Sequence, residues 1–135
     1  MAAKEECLFL NEAFYQAFRD CDINAMASLW VADSPAVCIH PGTSAIFGRE
    51  IILESWRQIF SNAQNPRITC HGARAEMMGD VCLVTCHEDL PGGPLMASNL
   101  FVREDGRWRM ALHQAGPCQM PAERFAQAAK AQSLQ

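Results

Sequence analysis

The stretch Leu95–Gly116 most constrains what this chain can fold into. Leu95–Glu104 and Arg107–Ala115 both have strand character. Asp105-Gly106 between them is a two-residue hairpin turn, because glycine takes a positive φ without a Cβ clash and aspartate tolerates one. Alternation puts Trp108, Met110, Leu112 and Gln114 on one face of the second strand, and Ala97, Asn99 and Phe101 on one face of the first. A mostly apolar face that ends in Asn and Gln predicts a core with a polar mouth, which is how a small-ligand pocket looks in sequence. Leu100, Val102, Ala111 and His113 then fall on the opposite, convex face.

Upstream, the period changes from two to 3.6. Cys7, Leu10, Phe14, Ala17, Phe18 and Cys21 give an apolar stripe on a helix over Lys4–Cys21, with Phe9 and Tyr15 off the stripe. Asp22 or Asn24 caps a short second helix that runs to Trp30 and buries Met26, Leu29 and Trp30. Asp33-Ser34-Pro35 breaks it. A short strand follows over Ala36–His40, then a loop over Thr43–Phe47. Gly48 opens a third helix, to about Ser61, with Ile52, Ser55, Trp56, Ile59 and Phe60 on its inner face. Pro66 ends this segment and biases Asn65 away from the helical region. Strands are predicted over Ile68–Met78 and Val81–Leu90, joined at Gly79-Asp80, with Pro91-Gly92-Gly93-Pro94 as the connector to the central hairpin. The tail from Pro121 to Ala131 has the pattern of a weakly apolar helix.

Helices followed by a run of strands indicate an α+β fold, with a curved antiparallel sheet wrapped around the N-terminal helices and a pocket between them. The 135 residues suit a single domain, with a core over about residues 6–116 and a tail over 117–135. The formal net charge is -4 and no basic run is present, which argues against nucleic acid or an acidic membrane as partner. No apolar stretch has membrane-spanning length, and the mixed-charge N-terminus lacks signal-peptide character, so a cytoplasmic location is expected. The 7 cysteines have irregular spacing and read as reduced, mostly buried small apolar residues.

The Phe14–Trp30 helix pair, His40-Pro41-Gly42, Gly48-Arg49-Glu50 leading to Ser55-Trp56, and Glu104-Asp105-Gly106-Arg107-Trp108-Arg109-Met110 together resemble the SnoaL-like group of the nuclear transport factor two-like superfamily. The closing Asp-Gly-basic-Trp turn is also similar to that of the association domain of calcium/calmodulin-dependent protein kinase type two. The resemblance implies a cone-shaped α+β barrel and a homodimer through the convex sheet face. It does not imply one function, since such folds serve isomerases, cyclases, dehydratases, epoxide hydrolases, carriers and oligomerisation modules.

Among candidate site residues, His87 shares a strand face with Leu83, the face assigned inward, and a neutral imidazole there is a candidate general acid or base. The plainer reading is a hydrogen-bonded histidine near the rim. Asn99 and Gln114 are candidate ligand orienters, each able to donate and accept; mutual satisfaction or a buried water is the alternative. His40 stands at a strand end near the mouth, and Trp56 lies on the covering helix, where core packing is the simpler role. Tyr15, the only tyrosine, points either inward or to solvent. His113 is assigned outward, an assignment that a one-residue slip would reverse. Glu88 alternates to the face opposite His87, and Asp89 returns near the strand end, so no carboxylate is placed securely inside. Cys82 and Cys86 share a face that His87 does not, so no metal is expected. No cofactor is expected either, as no Gly-rich phosphate loop or nucleophile elbow occurs.

These features lead to two expectations. One is a binder of a small apolar or carboxylate-bearing organic ligand, acting without cofactor as a lyase, isomerase or cyclase, with His87 as acid/base. The other is a non-enzymatic dimerisation or assembly module resembling the kinase association domain.

Overall fold

The computed structural model describes residues 2–62 and 66–119. Three helices come first: α1 (Ala3–Asp20), α2 (Ile23–Leu29) and α3 (Arg49–Asn62), with β1 (Val37–Ile39) and β2 (Ile46–Phe47) between the last two. Four long strands follow: β3 (Thr69–Met78), β4 (Val81–Leu90), β5 (Gly93–Glu104) and β6 (Arg107–Pro117). They form one curved, unclosed sheet in the order β2-β1-β6-β5-β4-β3. The fold is α+β, as the segment order predicts. The tail over 121–131 and the pre-proline position Asn65 lie outside the described residues.

Local chemistry sets the helix ends. Cys21 turns left-handed at φ 51, and the Asp22 amide reaches back to the Ala17 carbonyl at 3.0 Å, closing α1. The Asp22 carboxylate then accepts the Ala25 amide at 3.0 Å and caps α2. Arg49 donates to the carbonyls of Ala27, Trp30 and Val31 at 2.9–3.2 Å, which ties the start of α3 to the end of α2. The β5–β6 hairpin turns through Asp105 and Gly106, at φ 52 and 77, the two positive values that a type I′ turn demands.

Two pairings differ from the expected pattern. Ile46–Phe47, expected as loop, forms β2 and pairs antiparallel with β1. β1 joins β6 in parallel, through Val37↔Leu112, Cys38↔His113 and Ile39↔Gln114. A two-residue strand carries too little periodicity to stand out from a loop.

The phase of two strands also needs correction. On β5, Ala97, Asn99 and Phe101 face the helices and are fully buried, as predicted. On β6, Leu100↔Leu112 is followed by Phe101↔Met110, so Ala111 is an extra residue in a β-bulge. Trp108 and Met110 therefore point inward near the hairpin, but beyond the bulge His113 and Ala115 do, while Leu112 and Gln114 turn outward. His113 is thus 2% exposed inside the core rather than on the convex face. On β4 the inward residues are Cys82, Val84, Cys86 and Glu88, and His87 faces outward beside Leu83, opposite Met96 on β5 and His71 on β3.

The core between α1, α3 and the sheet is aromatic. Phe14, Tyr15, Trp30, Trp56, Phe101 and Met110 are all 0% exposed. Edge-to-face contacts join Phe14 to Tyr15 at 4.9 Å and to Trp56 at 5.5 Å. On the other face of the sheet, Val37, Val81, Leu100, Val102, Ala111 and Leu112 line an apolar groove of about 610 Å³.

Candidate functional site

Within this aromatic core lies one connected set of polar side chains. Helix α1 supplies Asn11 and Tyr15, one turn apart and both buried. The sheet supplies Cys86 and Glu88 from β4, Asn99 from β5 and His113 from β6. The strand phases just described aim these four at α1.

The hydrogen bonds assign most protons. Asn99 Nδ2 donates to Asn11 Oδ1 at 2.7 Å and to Tyr15 Oη at 3.3 Å. Asn99 Oδ1 is therefore the acceptor facing His113 Nδ1, 2.6 Å away, so His113 carries its proton on Nδ1. Tyr15 Oη donates to Glu88 Oε2 at 2.7 Å and lies 3.3 Å from Cys86 Sγ. The remaining imidazole nitrogen, His113 Nε2, keeps its lone pair, with Glu88 Oε2 at 3.9 Å. Asn11 Nδ2 points to the sulfurs of Cys70 and Cys86 at 3.5 and 3.9 Å.

Burial controls the titration of this set. It drives the His113 pKa down to about 3, with nearby His40 adding to the effect, so the imidazole is neutral at physiological pH. It pushes the Glu88 carboxyl up, partly opposed by the Tyr15 hydrogen bond. Burial, then the Glu88 charge, raises the Tyr15 phenol well above its ordinary range. Cys86 moves the other way, chiefly because the Cys70 thiol hydrogen-bonds to its sulfur, with Asn11 adding to the effect against the opposing burial. A neutral imidazole, a carboxyl whose pKa burial raises and a phenol thus meet in a water-poor interior. That combination can move a proton to or from an organic group.

His40 and Trp56 adjoin the set. The Ser55 hydroxyl donates to the Ile52 carbonyl at 2.6 Å, so it accepts from His40 Nε2 at 2.9 Å. The His40 ring packs on Trp56 at 4.9 Å, and Trp56 lies 5.9 Å from the His113 ring. The Trp56 indole nitrogen is buried without a hydrogen-bond partner. His40 is part-buried, and burial lowers its pKa.

Of the residues singled out from sequence, Tyr15 and Asn99 lie within the set, and His40 and Trp56 border it. Gln114 projects from the other face of the sheet, beside Ser98 and Ile39. His87 does likewise, where burial and the neighbouring His71 lower its pKa. Sequence reasoning missed Asn11, Glu88 and His113. For Glu88 a signal existed: Cys82 and Cys86 belong to the residue type most often fully buried, and they share its face. Among the described residues, no three His, Cys, Asp or Glu side chains group as a metal site, and no helix is long and apolar enough to cross a membrane.

Residues 8–119 match the family model described as the SnoaL-like domain. The chain belongs to this family. It is 28% identical to F-box protein SKIP8 of Arabidopsis thaliana over 116 residues, covering 84% of this SnoaL-like chain and 50% of the F-box protein. The chain therefore spans about half the length of that relative. A candidate dehydratase of the nuclear transport factor two-like family from Streptomyces avermitilis superimposes with a TM-score of 0.79 at 28% identity, over 86% of this chain and 96% of that one. A candidate calcium/calmodulin-dependent protein kinase type II association domain from Thiobacillus denitrificans gives a TM-score of 0.74 at 29% identity, over 82% and 93%. One SnoaL-like fold thus relates to both a candidate enzyme and a candidate assembly domain.

Proposed function

We propose that this SnoaL-like chain binds a small organic ligand inside the cone and transfers protons to or from it without a cofactor, as a lyase or isomerase does. The observation that carries the reading is the convergence of Tyr15, Glu88 and the lone-pair nitrogen of His113, within 2.7 and 3.9 Å of one carboxyl oxygen. In this proposal His113 Nε2 is the base that accepts a proton from the ligand. Glu88 is the acid that returns one to a departing or carbonyl oxygen, and Tyr15 holds the carboxyl in place. Asn99 fixes the tautomer of His113, so it is a positioning residue. Trp56 and His40 form the wall toward the part-buried end, where the ligand gains access. This assigns to Glu88 and His113 the role that periodicity gave to His87. The similarity to a candidate dehydratase supports the same reaction class.

The test is thermal stability against a library of small carboxylic acids, steroids and polyketide-like aromatics, followed by turnover of any hit. A ligand at a hundred times its dissociation constant adds about 2.7 kcal/mol to the folded state. A shift that disappears in Asn99→Leu, with turnover lost in His113→Gln, is the expected result. No shift from any compound, or turnover that survives in Glu88→Gln and His113→Gln alike, overturns the proposal.

A second reading, an assembly module, is favoured by the apolar groove on the outer sheet face, since monomers seldom expose such a patch. It predicts a homodimer or larger ring by light scattering, one that persists when the interior is altered.

A further inference from the structure

Two sulfurs near the edge of the sheet share one amide. Asn11 Nδ2 lies 3.5 Å from Cys70 Sγ and 3.9 Å from Cys86 Sγ, and the Cys70 thiol hydrogen-bonds to the Cys86 sulfur. Cys86 is 1% exposed, whereas Cys70 is half-buried and open to solvent on one side. A second thiol pair, Cys7 and Cys82, is hydrogen-bonded in the same way, but both of its members are 0% exposed. The backbone around the first pair has room to give. Cys70 stands opposite Glu88, two residues out of register with Cys86. Residues so related have Cα atoms roughly 7–8 Å apart, while a disulfide spans about 4.4–6.8 Å. The ladder is broken at this point: His71 pairs with His87 and Arg74 with Thr85, which leaves Gly72 and Ala73 together opposite Cys86. Such a bulge bends its strand, and Gly72, at φ 64, adds no Cβ to hinder the bend. β3 is also an edge strand, so among the described residues no further strand holds it away from β4.

We infer that Cys70 and Cys86 form a redox-active dithiol, which a hydroperoxide oxidises to a disulfide joining β3 to β4 across the bulge. Cys70, the accessible sulfur, attacks the outer oxygen of the peroxide. The O–O bond breaks, and the departing oxygen takes the Cys70 proton and leaves as an alcohol, or as water from hydrogen peroxide. The Cys86 sulfur then attacks the sulfenic sulfur of Cys70. The S–O bond breaks, and hydroxide leaves as water with the Cys86 proton. The two thiols together give up two electrons, and the hydroperoxide takes them up. The hydrogen bond to Cys86, then burial, raises the Cys70 pKa, so the first step is slower than at an activated cysteine. Proximity favours the second step, because Cys86 is already in contact with the sulfur it attacks. No interior ligand is needed for this chemistry. The bond nonetheless abuts the interior polar set, since Asn11, which holds both sulfurs, also accepts from Asn99 Nδ2 at 2.7 Å.

The experiment treats the reduced, folded full chain with hydrogen peroxide at neutral pH, alkylates the remaining thiols after unfolding, and maps the digest by mass spectrometry. A linked Cys70–Cys86 peptide is expected as the main disulfide, with the free thiols falling from 7 by two and dithiothreitol restoring them. Cys7 and Cys82 should be recovered as free thiols, because contact without exposure gives the peroxide no access. The same treatment of the urea-unfolded chain should lose the preference for this pair, since the fold creates it. Cys86→Ala should stop at a Cys70 sulfenic acid that dimedone traps, and Cys70→Ser should leave Cys86 reduced. The wild-type map needs no variant, so the inference is tested even if neither variant folds. Oxidation of Cys70 to its sulfinic acid while Cys86 stays free overturns it. So does preferred linkage to Cys21 or Cys118, the other part-exposed thiols, or the absence of any oxidation at Cys70.

Discussion

His113 makes the acid sensitivity of this fold predictable. The imidazole is buried, neutral and bonded through Nδ1 to Asn99, and its pKa falls from 6.5 to about 3. The sign follows from linkage: a base whose folded pKa is depressed stabilises the fold fully above its unfolded pKa, and this contribution is lost as pH falls toward the folded value. Each unit is worth about 1.4 kcal/mol. Between pH 7 and pH 4.5 the unfolded chain takes up a proton at this site and the folded chain does not, so His113 alone should cost the wild type about 2.5 kcal/mol over that interval. His113→Gln keeps an amide donor for Asn99 and removes the titration. The assay is urea unfolding of both proteins at the two pH values. The remaining histidines are common to both proteins, so what they contribute largely cancels in the double difference. The variant should therefore lose about 2.5 kcal/mol less than the wild type on acidification. A double difference below about 0.5 kcal/mol would refute the argument, because His113 would then be protonated in the folded protein and the neutral base on which the proposed chemistry depends would not exist.

Three further outcomes follow from single contacts. Glu104→Gln should destabilise by about 1–3 kcal/mol at pH 7, because the carboxylate accepts the amides of Ala32, Asp33 and Ser34 at 2.6–2.9 Å. Those amides hold the Glu104 pKa down to about 2, so the gap to wild type, read by urea unfolding, should close as pH falls from about 4.5 toward 2. Tyr15→Phe should cost about 1–3 kcal/mol in thermal or urea unfolding, since it leaves the buried Glu88 carboxyl without its 2.7 Å donor. Leu112→Glu, in the outer groove, should shift any self-association measured by light scattering toward monomer without a large loss of melting temperature, because the side chain is only half-buried in the single chain.

The parts of the fold that were legible in the sequence are those encoded within a few residues. Asp105-Gly106 adopts the turn that its chemistry requires, Asp22 caps α2, and Ala97, Asn99 and Phe101 share the buried face of β5. The candidate site was harder to read because its residues contradict simple burial rules. Glu88 and His113 are polar groups at core positions: Glu88 is held by Tyr15 from α1, and His113 by Asn99, which it faces across the β5–β6 hairpin only because of the bulge, so no local pattern carries that satisfaction. On β4 both alternating faces contain apolar residues, Leu83 on one and Val84 on the other, so period two alone does not select the inner face. Asn11 faced the same difficulty from the helix side: it interrupts an apolar stripe and is buried because Asn99 and two thiols receive it.

The bulge at Ala111 explains why β6 defeats alternation and why it has to. The hairpin end of β6 is locked to the chain leaving α2: the Val31 amide donates to the Met110 carbonyl at 3.0 Å, and Trp30 bridges to Met110 in parallel. The chain then leaves the sheet, is held by Glu104 through Ala32, Asp33 and Ser34, and returns as β1 with Val37 opposite Leu112. Both ends of this excursion must dock on β6 within two residues of each other. At the first dock Trp108 and Met110 fill the core, and just past the second a side chain must reach Asn99. Unbroken alternation would satisfy only one demand, placing Leu112 and Gln114 inside and turning His113 out. One additional residue satisfies both: it keeps Met110 beneath Trp30 and turns His113 toward Asn99, Tyr15 and Glu88. The same feature that joins the helical layer to the sheet thus supplies the imidazole of the interior site.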